Sequence, residues 1–305
     1  WEMMEMNYHS PVLLMESING LNIKEDGVYV DVTFGGGGHS KEILNRLGPK
    51  GKLLAFDQDE DALMNVIDDD RFTLINENFR YISQFLKFYG IRKVDGILAD
   101  FGVSSHQFDK AERGFSTRFD ADLDMRMSKK NRVSAYDVVN AYKYDELRRV
   151  LFQYGDLRNA NAIANKIIAS REEDPIKTSA QLKEVLKPFL PKHKEHKILA
   201  QIYQAIRIEV NQEIQVIKEL LEQVPELLNP GGRLSVISYH SLEDRLVKRF
   251  IRAGLFEGEP EKDFYGNISV PLKKVGGLIV PSKEEIARNN RARSAKLRIA
   301  ERIIQ

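Results

Sequence analysis

Apolar and polar positions divide the chain into three stretches with different periodicity. Before residue 105, short apolar runs at 28–34, 52–57, 72–76 and 94–100 alternate with segments of helical spacing. This alternation is typical of an α/β fold with a parallel sheet. Each run ends in a polar or glycine-rich turn, and open α/β sheets bind their ligands at the edge where such turns lie.

The middle stretch, residues 105–197, has helical periodicity and shows no strand pattern. Ser134 and Thr178 indicate helix starts, because each is followed three residues later by an acid or amide that can complete a capping box. Asp145, before the amphipathic segment "ELRRVLFQYG", predicts a third start. This stretch is therefore predicted to be an all-helical insertion.

The α/β pattern resumes after a basic linker at 187–197. A long amphipathic segment at 198–228 leads to a predicted strand at 233–239, and another strand is expected within "SAKLRIAER" near the end of the chain. The simplest architecture is one parallel sheet interrupted by the helical insertion. The predicted domains are a discontinuous sheet domain, 1–104 with 198–305, and an insertion, 105–197, that would recognise the substrate.

Composition narrows the class of protein. The 305 residues are 42% hydrophobic, no apolar run approaches the ~18 residues of a membrane span, and the first residues do not read as a signal peptide. The chain contains no cysteine, which excludes thiolate nucleophiles and thiolate metal sites. These features predict a soluble, cytoplasmic protein without a metal site. Because the formal net charge is only +1, a polyanionic partner would be held by local basic patches.

Four consecutive glycines follow the first predicted strand, in "YVDVTFGGGGHSKEIL" (29–44). Glycine has no Cβ and tolerates positive φ, so a ligand can approach such a turn and meet the amides of the next helix, which Ser40 is predicted to cap. A flexible surface turn would give the same pattern. Asp57 favours a binding site, because nucleotide-binding sheets place at that strand end the carboxylate that accepts the ribose hydroxyls.

Nicotinamide cofactors and S-adenosylmethionine both use this geometry, and the glycine spacing separates them. His39 and Ser40 stand where G-x-G-x-x-G would have its third glycine, so the dinucleotide fingerprint fails. Asp31, before the glycines, suits a cationic ligand, which favours S-adenosylmethionine. After the third and fourth strands, Phe79 can face the adenine ring and Asp100 the reaction end, although Phe79 is equally compatible with a core position.

Eight segments of the sequence resemble those of the bacterial MraW family, the 16S rRNA (cytosine-N4)-methyltransferases. They occur in family order and at family spacing between His9 and Arg302. The segments are "HSPVLL", "YVDVTFGGGGHS", "FDQDEDAL", "VDGILADFGVSSHQFDKAERGFS", "LDMRM", "QAIRIEVNQE", "NPGGRLSVISYHSLEDRLVKRF" and "RARSAKLRIAER".

This resemblance implies a class I, Rossmann-like S-adenosylmethionine-dependent methyltransferase sheet with a helical insertion. The implied activity is methyl transfer to the exocyclic amine of a cytosine in the decoding centre, at the P site, of 16S rRNA in the small ribosomal subunit. Gly36 is the least certain of the implied cofactor contacts. The family's cofactor-binding positions fall on Gly37, Gly38, His39, Asp57, Phe79, Asp100 and Gln107.

The chemistry of the substrate adds further candidates. A cytosine amine shares its lone pair with the ring, so an acceptor such as Asp100 would help to localise that pair; a contact with the cofactor alone is the other role open to Asp100. A base that leaves its stack needs an apolar or aromatic wall. Phe101, Phe115 and Tyr239 are candidates for this wall, and each can instead be an ordinary core aromatic. His240, beside Tyr239, is a further candidate acceptor.

Contacts with RNA are predicted from local charge. Residues 282–305 contain seven Lys or Arg and three Glu, and Arg291 and Arg293 lie in an irregular stretch where guanidinium groups can reach phosphates. The basic run at 192–197 is a second candidate, with a hinge linker as the alternative. Residues 112–127 are too rich in Gly, Asp and Arg for a helix and predict a shaped loop.

Two other functions remain compatible with the sequence: a non-enzymatic RNA-binding protein on the same fold, and an NAD-dependent oxidoreductase. A non-enzymatic RNA-binding protein would not need Asp57, Phe79 and Asp100 as a set. An NAD-dependent oxidoreductase would need a pyrophosphate-binding loop, which the sequence lacks. Titration with S-adenosylmethionine, S-adenosylhomocysteine and NAD would distinguish the three. Whether the chain is a monomer or a homodimer stays open.

Overall fold

The computed structural model describes residues 10–304, so His9 of the first family-like segment lies outside the described residues. Contacts divide the chain into two compact units. The first unit comprises Trp1–Gly102 with Val216–Gln305, and the second comprises Val103–Gln215. No helix among residues 10–304 combines the length and apolar character needed to span a membrane.

The first unit is built on a sheet that has seven strands within the described residues. The strands are β1 (Val28–Asp31), β2 (Lys52–Phe56), β3 (Phe72–Ile75), β4 (Val94–Asp100), β5 (Leu228–Ser238), β6 (Leu272–Lys274) and β7 (Lys296–Arg302). Their order across the sheet is β3-β2-β1-β4-β5-β7-β6. Neighbours among β1 to β5 are parallel, whereas β7 is antiparallel to both β5 and β6.

This topology confirms the α/β class and the class I methyltransferase sheet that the resemblance implies. The expectation of a wholly parallel sheet is wrong at one edge, because the alternating pattern of β7 does not encode the direction of its strand. The sequence also did not predict β6. That strand has three residues, of which two are exposed, so it carries no strand pattern.

Helices cover both faces of the sheet, which explains why its central strands are apolar on both sides. Residues of α1 (Leu14–Gly20) and α2 (Gly38–Arg46) pack with Leu53 and Ala55 of β2. Residues of α3 (Ile82–Phe88), α10 (Glu213–Leu227) and α11 (Ser241–Ala253) pack with Leu54 and Phe56 of the same strand. The alternation follows from the two-residue period of a strand. The helix α12 (Lys283–Arg288) precedes β7.

The second unit is helical. Its helices are α4 (Ser105–Asp109), α5 (Ala135–Ala141), α6 (Tyr144–Gly155), α7 (Ala160–Glu173), α8 (Ser179–Leu186) and α9 (Glu195–Asn211). The predicted capping boxes at Ser134 and Thr178 are confirmed at the starts of α5 and α8. However, α6 begins one residue before Asp145, because Glu146 Oε1 accepts a hydrogen bond from the backbone N–H of Lys143 at 3.3 Å.

The second unit extends beyond the predicted insertion. The amphipathic segment at 198–228 is two helices, because Gln212 adopts a φ of +50° and ends α9. In α9, Leu199, Ile202 and Ile206 belong to the core of the second unit. The boundary therefore follows Gln215 and not residue 197. Recognition of the substrate by this unit stays a prediction.

Candidate active site

Three aspartates occupy the carboxyl ends of neighbouring strands: Asp31 ends β1, Asp57 follows β2, and Asp100 ends β4. Because β1 lies between β2 and β4, the three carboxylates come to one edge of the sheet, at the point where the strand order reverses. We call them the carboxylate cluster. Burial raises the pKa of all three carboxyl groups, and the charge of Asp31 adds to the increase at Asp57 and Asp100. The cluster therefore carries electrostatic strain that a cation would relieve.

Asp57 joins the end of β2 to the glycine turn. Its Oδ2 accepts the N–H of Gly35 at 2.7 Å, and its Oδ1 accepts the N–H of Asp59 at 2.8 Å. Burial raises the pKa of Asp57 to about 6, against the lowering effect of these two hydrogen bonds. Asp57 is therefore part of a fixed loop and is not a solvated acid at a strand end. Each oxygen retains a second lone pair that can accept a ligand hydroxyl.

The glycines of the turn are required for two different reasons, a positive φ and a close contact with another part of the chain. Gly35 and Gly37 have φ of +55° and +84°, which L side chains rarely adopt. At Gly38 the obstacle is the chain itself, because an added Cβ would lie 2.0 Å from Pro11 Cγ. Gly36 is exposed and lines a cleft of about 260 Å³. A ligand is therefore not needed to explain the glycine at position 38.

Asp31 supports the start of α2 from inside the fold and is 1% exposed. Its Oδ2 accepts the Ser40 hydroxyl at 2.7 Å, and its Oδ1 accepts the N–H of Thr33 at 3.1 Å. The prediction that Ser40 caps α2 is therefore wrong: Ser40 lies inside the helix, and Gly37 occupies the cap position. Thr33, which was not among the predicted site residues, accepts the Asp100 N–H on its hydroxyl at 2.7 Å. The available signal was a hydroxyl residue at the end of a buried strand.

Asp100 is held on one side by a phenol. The Tyr239 hydroxyl donates to Asp100 Oδ1 at 2.5 Å, and His39 Nδ1 lies 3.8 Å from Oδ2. His39 Nε2 carries a proton, because its partner at 2.9 Å is the carbonyl oxygen of Val12. Burial raises the pKa of Asp100 to about 6, while His39 and the Tyr239 bond lower it. Burial also raises the pKa of Tyr239 well above its usual value, so the phenol is the donor at neutral pH.

Phe79 borders the same strand edge. It begins the 3₁₀ turn Phe79–Tyr81 after β3 and is half-buried. Its ring centroid lies 5.8 Å from that of Phe101, which is 3% exposed and belongs to the core of the first unit. Phe101 is therefore a core aromatic, whereas Phe79 keeps part of its surface exposed, and its contact with the adenine ring stays a prediction.

The sequence profile of the MraW methylase family matches residues 6–303. The chain belongs to the MraW methylase family. It is 70% identical to the ribosomal RNA small subunit methyltransferase H of Christiangramia forsetii, over 99% of this chain and 100% of that protein. It is 53% identical to the protein of the same name from Bacteroides thetaiotaomicron, over 98% of each chain. An rRNA methylase structure from Streptococcus thermophilus, 11% identical, covers 99% of this chain and 100% of its own with a TM-score of 0.43.

Two candidate residues of this chain lie in the second unit, and both are 5% exposed. Gln107 forms a capping box on α4: its Oε1 accepts the N–H of Ser104 at 3.2 Å, and its own N–H donates to Ser104 Oγ at 3.1 Å. Phe115 packs in the core of that unit, with the Arg113 guanidinium 5.7 Å from its ring centroid. Phe115 therefore offers little ring surface to a base.

The remaining candidates lie in the first unit. His240 caps α11, and its Nδ1 accepts the N–H of Glu243 at 3.4 Å, so its position has a structural explanation. Arg291 is half-buried in the 3₁₀ turn Asn290–Ser294, whereas Arg293 is exposed. Of the predicted site residues in the first unit, the structure thus brings His39 and Tyr239 to Asp100.

Proposed function

We propose that this MraW methylase transfers a methyl group from S-adenosylmethionine to the N4 amine of a cytosine in the decoding centre of 16S rRNA, within the small ribosomal subunit. Family membership and the names of the relatives support rRNA methylation. The observation that carries the chemistry is the Asp100 carboxylate, with Oδ1 held by Tyr239 and Oδ2 accepting no hydrogen bond from residues 10–304.

The carboxylate cluster fits a cationic cofactor. S-adenosylmethionine carries a sulfonium and an ammonium group, and when bound it supplies a methyl group made electrophilic by the charge on sulfur. Asp57 would accept the ribose hydroxyls, and the half-buried ring of Phe79 would face the adenine. The pyrophosphate of NAD would instead meet like charge from the cluster, which disfavours an oxidoreductase.

Asp100 would position the nucleophile. With Oδ1 bound to the Tyr239 hydroxyl, the carboxylate has one fixed orientation, and Oδ2 can accept a hydrogen bond from an incoming amine. This bond would localise the lone pair of the amine nitrogen and stabilise the positive charge that grows there as the new bond forms. Because the pKa of Asp100 is raised only to about 6, the group is mainly ionised at pH 7 to 8 and can perform this role.

A carboxylate acceptor suits an exocyclic amine, and the choice of cytosine N4 follows the family resemblance. The test uses small subunits from a strain that lacks the gene, together with S-adenosylmethionine that carries a tritiated methyl group. After digestion to nucleosides, the label should appear in N4-methylcytidine from 16S rRNA. Label in another nucleoside, or no transfer by a protein that binds the cofactor, would overturn the proposal.

A further inference from the structure

A short basic turn projects from the second unit at residues 128–132, "SKKNR". We call it the basic turn. Lys129, Lys130 and Arg132 are all exposed, and the turn contains no acidic residue. None of the predicted RNA contacts included it. Exposed lysines and arginines are ordinary on a protein surface, so their presence alone does not indicate a binding site. The evidence for one is the way in which the backbone of the turn is held.

Arg126 holds the turn from one side. Its Nη1 donates to the carbonyl oxygens of Lys129 at 3.3 Å and Asn131 at 3.0 Å. The guanidinium is itself fixed, because its Nε donates to Asp124 Oδ1 at 2.6 Å. Ser128, which is 6% exposed, accepts the N–H of Lys130 on its hydroxyl at 3.2 Å. The charge of Arg126 is thus used inside the protein. We call the hydrogen bonds by which Arg126, Ser128 and Asn211 hold the turn the frame.

Asn211, at the end of α9, holds the turn from the other side and is 5% exposed. Its Oδ1 accepts the N–H of Met127 at 2.8 Å and the side-chain amide of Asn131 at 3.3 Å. Its Nδ2 donates to the carbonyl oxygen of Met125 at 2.9 Å. Two side chains that are distant in sequence, Arg126 and Asn211, therefore give this exposed segment a defined backbone.

The frame does not use the side chains of Lys129, Lys130 and Arg132, which are exposed and can contact a partner. Within residues 10–304, no acid pairs with Lys129, Lys130 or Arg132. A backbone that is already ordered loses little entropy on binding, so such an array can bind a polyanion more tightly than the same charges on a loose loop. Contacts of this kind position a nucleic acid through its phosphates and do not read its sequence.

From this geometry we infer that the basic turn binds the phosphate backbone of the rRNA substrate, an inference that rests on the proposed function. The test compares Lys129→Ala/Lys130→Ala/Arg132→Ala with a control triple variant of equal charge change. The control is Arg158→Ala/Lys166→Ala/Lys177→Ala, which removes three exposed cations elsewhere in the second unit. The probe is 16S rRNA extracted from small subunits of a strain that lacks the gene.

Binding is measured across a series of salt concentrations. Loss of three phosphate contacts should reduce the magnitude of the negative slope of log affinity against log salt concentration by about 2, at roughly 0.7 per contact. Binding near 0.1 M salt should weaken at least tenfold. The control should change binding less than about threefold by its effect on net charge alone. Equal slopes for the two triple variants would overturn the inference.

A third variant tests the frame. Arg126→Lys keeps the charge but loses the guanidinium, which bonds Asp124 through Nε and the two carbonyl oxygens through Nη1. It should weaken rRNA binding severalfold without changing the salt slope, and unaltered binding would show that the frame does not matter. Methyl transfer by the parent protein is measured in parallel. If the parent methylates the subunit while the variants contradict these expectations, only the inference fails; if the parent transfers no methyl group, the proposed function fails first.

Discussion

Replacing Asp100 by asparagine should make the ligand-free protein more stable at pH 8. Asparagine keeps the shape of the side chain and an oxygen acceptor for the Tyr239 hydroxyl, but it removes an ionisable group. Burial raises the pKa of Asp100 from 3.8 to about 6, so the native state holds this proton more tightly than the unfolded chain does. The stability from that proton is complete below pH 3.8 and is lost as the pH rises through about 6.

The magnitude follows from the shift. About two pKa units correspond to about 3 kcal/mol of lost stability at pH 8, and to less than about 1 kcal/mol at pH 4. The pKa of about 6 already contains the lowering effect of the Tyr239 hydrogen bond, so the loss of that charged bond is not subtracted again. We expect Asp100→Asn to raise the free energy of unfolding by about 1–3 kcal/mol at pH 8 and to change it little at pH 4.

The same substitution should slow the reaction. If the carboxylate orients the amine and stabilises its growing charge, the single-turnover methylation rate falls at least tenfold, or about 1.4 kcal/mol. Cofactor dissociation constants should change far less. A residue that contacted only the cofactor would instead give a loss that disappears at saturating S-adenosylmethionine.

Urea unfolding without cofactor at pH 4, 6 and 8, together with single-turnover kinetics at pH 8, measures both effects. The exposed Asp70→Asn is the matched control and should leave stability and rate unchanged. A stability difference that is the same at pH 4 and pH 8, or a destabilisation at pH 8, would refute the electrostatic reasoning. A parental rate at saturating cofactor would refute the role in catalysis.

Three further predictions concern the first unit. Asp57→Ala should weaken S-adenosylmethionine binding by roughly 2 kcal/mol, measured by calorimetry, and unchanged affinity in a folded variant would remove Asp57 from the site. Arg291→Ala with Arg293→Ala should lower rRNA affinity and its salt dependence but not cofactor affinity; a parental salt slope would exclude both residues from the interface. Gly38→Ala should destabilise the fold by about 1–3 kcal/mol in urea unfolding, because its Cβ would overlap Pro11, and full stability would show that the contact relaxes freely.

The sequence predicted the parallel part of the sheet well, because strands covered on both faces are continuous apolar runs bounded by turns. It could not predict the antiparallel direction of β7, since neither the apolar pattern nor the chain order specifies how a distant strand pairs. The break between α9 and α10 was hidden for another reason. Gln212 adopts a positive φ without being glycine or asparagine, so no residue type marks the turn.

Asp57 and Asp100 were found as candidates because acids at the ends of strands are visible in a sequence. Their environments were not visible. The bond between Tyr239 and Asp100 joins residues 139 positions apart, and only the pairing of β4 with β5 brings them together. The requirement for glycine at position 38 similarly comes from Pro11, a tertiary contact that a local reading assigns to a ligand.

The separation of β4 from β5 also matters while the chain is being made. β4 ends at Asp100, and β5, its partner on one side, begins at Leu228. At ~5–20 residues per second, the ribosome needs roughly 6–25 s to add the intervening residues. Once β4, an apolar strand, has left the ribosome, one of its edges presents unpaired backbone groups to other chains until β5 is available. The whole second unit is synthesised in the same interval, so the nascent protein can complete a helical core while its sheet is still open to aggregation.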